Sequence, residues 1–142
     1  LPDDLGSGIN TINQLRLRDF RRNISKELQA GRLTGSDLLE AVESDRVIDP
    51  ARLVRMPELF NEREDRGTTV YATTWALAHY LHRTRLESFV AYVRELAARP
   101  PGAPVASEQE LALFERHFGK PDAAFIRRWG DYILRLPYRP PE

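Results

Sequence analysis

Between Tyr71 and His82 the chain carries a phenol and two imidazoles in one run whose spacing predicts a single helix. Each group has a chemistry it can do. His79 and His82 are three residues apart, close enough on a helix to meet one ion. The known helical zinc motif is His-Glu-x-x-His, because histidines four apart share a face and the glutamate activates water. Here the intervening residues are Tyr80 and Leu81, so the spacing is wrong and the glutamate is missing. The pair is read as packing or surface, and no metal site is expected in this chain. Tyr71 has two readings. In the first turn of a buried helix its hydroxyl can sit at the edge of a cleft and donate to a developing oxyanion. Otherwise it is a core tyrosine whose hydroxyl meets a backbone carbonyl. From the residues alone, the core reading is the simpler one.

The remaining candidates carry less. Arg16, Arg18, Arg21, Arg22 and Lys26 make one segment basic, and a phosphate contact is conceivable there. Asp19 and Glu27 favour a solvated face instead. Glu108, Glu110 and Glu115 also read as a solvated face, since an acid/base pair needs burial or a close partner to separate its pKa values. Gly6-Ser7-Gly8 and Gly31 to Gly35 lack a nucleotide-binding spacing, and none of Ser7, Ser25, Ser36, Ser44, Ser88 and Ser107 sits in a nucleophile elbow. With no cysteine, disulfides, thiolate zinc sites and cysteine nucleophiles are excluded within the sequence.

Lys plus Arg number 21 and Asp plus Glu number 21, so the net charge is zero. That balance argues against a nucleic-acid or anionic-membrane binder, which needs a positive field. No apolar stretch approaches the roughly 18 residues of a membrane-spanning helix. At 142 residues, 42% of them hydrophobic, the chain has enough material for one domain with a core.

The elements expected to position these groups are helices. Residues 1–10 read as an irregular lead-in. Asn13 to Gln29 places Leu17, Phe20, Ile24 and Leu28 at helical spacing, with Gly31 as a stop. Thr34 or Ser36 can cap a second helix holding Leu38, Leu39 and Val42, and Asp49-Pro50 starts a brief third, limited by Pro57. Asn61 to Gly67 reads as a charged connector, and the central helix then runs over about 68–82, opened by Thr68 or Thr69. It is apolar on nearly every side and must be surrounded by others. Arg85 to Arg99 follows, with Leu86, Phe89, Val90, Val93 and Leu96 on one face. Pro100 to Pro104 breaks it, and a domain boundary there is less expected than one cooperative unit, because both flanks are amphipathic. Ser107 with Glu110 fits a capping box for a helix bearing Leu111, Phe114 and Phe118, and Gly119 stands where a left-handed cap is expected. Pro121-Asp122 starts the last helix, with Phe125, Trp129, Tyr132, Ile133 and Leu136 on a stripe, before a Pro-rich tail over 137–142. No segment alternates with period two, and no repeat is visible. The fold class expected is all-α: a single domain over 1–142, an irregular bundle of about six or seven helices around the central one.

The run from Tyr71 to Leu81, followed by Leu86 to Leu96, resembles the C-terminal helical region of gluzincin-type zinc peptidases. It is most similar to an uncharacterised bacterial domain family in that group, in which a Tyr-Ala-x-x-Trp-Ala-Leu-x-His-aromatic-Leu helix precedes a Phe-x-x-Tyr helix. Glu110, Phe114, Phe118, Gly119, Trp129, Tyr132, Ile133 and Leu136 match the family's closing pattern, and Gly8-Ile9-Asn10 with Leu15-Arg16 resembles the stretch after its third zinc ligand. In the family a preceding segment supplies His-Glu-x-x-His and a downstream glutamate; neither motif occurs here. What the resemblance implies for this chain is Tyr71 alone, at the position of the tyrosine that assists the tetrahedral intermediate. It implies zinc, peptide substrate and hydrolase activity only for a larger parent, with the upstream zinc-binding segment of the same protein as partner, and it leans to an exported bacterial protein. The chain begins at Leu1 and holds no complete catalytic constellation, so it is read as a C-terminal part that walls a peptidase cleft and is inactive alone. The alternative reading is a non-enzymatic helical interaction module that binds a partner helix or peptide in an apolar groove.

Overall fold

A computed structural model describes residues 12–25, 32–55, 64–100, 102 and 106–137, with backbone alone for 64–68. The expectations placed on 1–10, Gly31, Pro57, Asn61 to Arg63 and 138–142 lie outside the described residues, as do Leu28 and most of the 100–104 loop. The described residues form an all-α protein of seven helices without a strand. These are α1 (Gln14–Ile24), α2 (Gly35–Glu43), α3 (Pro50–Arg55), α4 (Glu64–Thr84), α5 (Leu86–Ala97), α6 (Ser107–Phe118) and α7 (Ala123–Ile133).

Short polar side chains start several of them. Asn13 accepts from the Arg16 N–H at 3.1 Å, Asp122 from the Phe125 N–H at 3.0 Å, and Asp49 from the Ala51 N–H at 2.9 Å ahead of Pro50. Thr34, rather than Ser36, caps α2 in a reciprocal box: Thr34 N–H donates to Asp37 at 2.6 Å and Asp37 N–H to the Thr34 hydroxyl at 3.4 Å. α2 ends in a Schellman motif, with Arg46 N–H on the Ala41 carbonyl and Asp45 N–H on that of Val42. Asp45, at φ 62°, takes the left-handed position usually given to glycine.

Several boundaries differ from expectation, the first being the end of α1 at Ile24, where Ser25 is extended, against an expected Gln29. α4 begins at Glu64, so half of the charged connector is helix; the apolar wheel begins only at Val70 and gives no sign of a polar first turn. α6 begins one residue early: Ser107 is its first helical residue, and the Gln109 side chain accepts from the Ala106 N–H at 3.3 Å in place of a serine cap. Gly119 follows α6 with φ 84° and ψ 177°, an extended mirror conformation and not the left-handed helical cap expected. Only glycine adopts it without strain.

One buried cluster draws on helices from both sides of the 100–104 loop: Leu17, Phe20, Leu38, Val70, Ala76, Leu81, Phe114, Phe125, Trp129 and Ile133 among others. α4 packs against α1, α3, α5 and α7, and α2 lies along α7. The α2–α7 seam is closed by two glycines. A Cβ on Gly130 would lie 2.7 Å from the Gly35 Cα, and one on Gly35 would overlap the Arg127 carbonyl oxygen.

Candidate functional site

Trp75 and His79 are both buried. His79 is 2% exposed, its ring stacked at 5.1 Å on Trp75 and 6.2 Å from Tyr132. His82 lies half-buried, edge-on to Phe89 at 5.5 Å. Both imidazoles therefore sit in aromatic packing. Among the described residues no group of three or more His, Cys, Asp or Glu side chains is placed to hold a metal ion.

Tyr71 behaves differently from its helix. Ala72, Thr73, Trp75, Ala76 and Leu77 are buried, whereas Tyr71 is 48% exposed. Because α4 begins at Glu64, the tyrosine stands about two turns inside the helix and not in its first turn. Neither reading made from the residues alone fits in full: the ring is no core side chain, and it does not head the helix. α1 crosses beside it and lays the Arg16 guanidinium over its ring, 5.3 Å from the centroid. Such a cation–π contact contributes about 0.5–1 kcal/mol at an exposed site and restrains the ring. Leu15, the neighbour of Arg16, is also exposed. The open area around Tyr71 is thus narrow, since Trp75 is covered.

The basic segment is not a uniform solvated face. Arg21 is buried and its Nη1 donates to the Leu134 carbonyl at 3.5 Å, tying α1 to the end of α7. Of the three glutamates on α6, Glu110 is paired with Arg99 at 2.5 Å. A further charged set joins α5 to α6: Glu95 meets Arg116 at 2.6 Å and His117 at 2.8 Å. The hydrogen bonds from Arg116 and then His117 hold the Glu95 carboxyl below its usual range. Beside them, burial and then the Glu110 charge push the Tyr92 phenol above its ordinary value. Glu95 is not on the apolar face that the sequence predicts for α5, so this set carried no signal in the sequence.

The fold is that of a small irregular α-helical domain, with a half-exposed tyrosine between buried neighbours on its central helix. The chain belongs to the family described as "Protein of unknown function (DUF1570)", whose sequence profile matches residues 2–103. No curated protein and no solved structure matches it.

Proposed function

We propose that this chain is the helical C-terminal part of a zinc-peptidase-like protein, in which it walls the active-site cleft and presents the Tyr71 hydroxyl to the substrate. The observation that carries the reading is the exposure of Tyr71 on a helix whose neighbouring positions are buried. A side chain oriented by packing, with its ring under Arg16 and about half of its surface exposed, is suited to meet a group delivered from outside the chain. The phenol would donate a hydrogen bond to the peptide carbonyl oxygen as negative charge builds on it. The likeness of the Tyr71 to Leu81 run to gluzincin helices supports the peptide as substrate class. On this reading the metal-binding segment lies upstream in the same protein.

The experiment is kinetic and uses the full-length gene product. Tyr71→Phe is expected to lower kcat for a quenched peptide by about 100-fold, the usual size of one lost oxyanion donor, with KM little changed. An unaltered kcat, or an upstream sequence without an HExxH helix, ends the reading. The isolated chain is expected to bind no stoichiometric zinc and to turn nothing over; either event after dialysis against chelator would contradict it.

A second reading, the helical interaction module, is favoured by α5. None of its residues is buried, and Leu86 and Val93 are exposed. Leu86→Glu together with Val93→Glu would abolish binding of a partner helix under that reading and leave peptidase kinetics intact.

A further inference from the structure

α7 and the chain entering α2 enclose two hollows that share Asp131 and Arg135. One, of about 440 Å³, is lined by Arg128, Asp131, Tyr132, Arg135 and Leu136. The other, of about 260 Å³, is lined by Arg32, Leu33, Thr34, Asp131 and Arg135. Three exposed arginines, Arg32, Arg128 and Arg135, therefore line two neighbouring hollows. Among the described residues none of the three has an ion-pair partner, although Arg16, Arg21, Arg46, Arg99 and Arg116 are all engaged elsewhere. The one carboxylate present, Asp131, is committed to the scaffold: its Oδ1 accepts the Gly35 N–H at 2.7 Å. Three positive charges against one negative leave a local excess in a chain whose net charge is zero.

We propose that these hollows bind a small oxyanion bearing at least two negative charges, of the phosphate or carboxylate class, held by Arg32, Arg128 and Arg135. Arginine is suited to this because its planar fork donates two parallel hydrogen bonds to a carboxylate or phosphate. Arg135 lines both hollows and is the shared clamp, with Arg128 on one side and Arg32 on the other. The three arginines line two small hollows, which suits a small anion better than an extended polyanion. The inference is independent of the peptidase reading.

The test is isothermal titration of the whole chain at low ionic strength with pyrophosphate in one arm and citrate in the other. Saturable one-to-one binding of either is expected, and the tighter arm identifies the class. Because a charge-assisted hydrogen bond contributes more than a neutral one, Arg135→Gln should weaken binding at least about tenfold, and Arg128→Gln and Arg32→Gln should weaken it as well. Arg127→Gln removes a charge from the same helix without lining either hollow and should leave affinity unchanged. Arg135→Lys keeps the charge and should restore only part of the loss. No saturable binding in either arm overturns the proposal, as does full affinity in Arg135→Gln or an equal loss in Arg127→Gln.

Discussion

Tyr71 on α4 and Tyr92 on α5 have different surroundings, which give them different tests. Tyr71 is 48% exposed, so its replacement by Phe counts as a surface substitution. Tyr71→Phe should change unfolding free energy by less than about 0.5 kcal/mol, the range for surface substitutions, in a urea titration. A large destabilisation would mean that the hydroxyl is structural, and any kinetic loss would then have a trivial cause. Tyr92 touches Phe114, Phe118 and His117 edge-on, and its phenol is pushed up by burial and by the Glu110 charge, with Arg99 partly opposing. A group with a raised folded pKa gives stability that is present below its unfolded value, near 10, and lost as pH rises through the folded one. Between pH 9 and pH 11 the wild type should therefore lose more unfolding free energy than Tyr92→Phe does. Equal losses would remove Tyr92 from the alkaline transition. The exposure of Tyr71 was not legible in the sequence. It depends on where α1 crosses α4, and helical periodicity says nothing about crossings. The poor zinc spacing of His79 and His82 was legible, because ligand geometry on one helix is local.

At the scale of elements, local capping chemistry was readable and long-range contact was not. Asn13, Thr34, Asp49-Pro50 and Asp122 start helices where their types predict, because a cap involves only the next three residues. Ser107 failed because the Gln109 side chain satisfies an N–H one position earlier. α5 matched only in part: Phe89, Val90 and Leu96 of its expected face are half-buried. Its expected inner face leaves Leu86 and Val93 in solvent, while Tyr92 and the charged Glu95 turn to α6. The Gly35–Gly130 crossing had no signal at all, since the two residues are 95 positions apart and neither breaks its helix. It nevertheless sets how closely α2 and α7 approach. Gly130→Ala places a methyl within 3 Å of both the Gly35 Cα and the Leu38 Cβ. Overpacking of that kind costs about 1–3 kcal/mol, and backbone atoms cannot yield as a side chain would. Gly35→Ala should cost as much or more, while Gly102→Ala, with open space around it, should reveal only its backbone preference. Comparable denaturation midpoints for Gly130→Ala and wild type would show that the seam opens at little cost.

The family profile ends at residue 103, yet the packed unit does not. Phe20 on α1 meets Trp129 on α7 at 5.5 Å, Tyr80 on α4 meets Phe125 at 6.1 Å, and Leu38 on α2 lies under Gly130. Each pair spans the 100–104 loop, so the apolar faces of α1, α2 and α4 are covered by residues outside the matched segment. Removing residues 104–142 would expose those faces and leave no element to replace Trp129, which is fully buried. A chain cut at 103 is expected to lose cooperative thermal unfolding and to bind hydrophobic dye, whereas the whole chain should melt in one transition. Trp129→Ala in the whole chain should cost about 3–5 kcal/mol, as for other buried large-to-small changes. A cooperative melt of the 1–103 piece would show that α6 and α7 are an appendage and that the family unit folds alone. The all-α class and the amphipathic stripe of α7 were visible in the sequence, because apolar spacing reports burial within an element. Which helices close over one another was not, because that follows from crossings such as Gly35 with Gly130 that join distant positions.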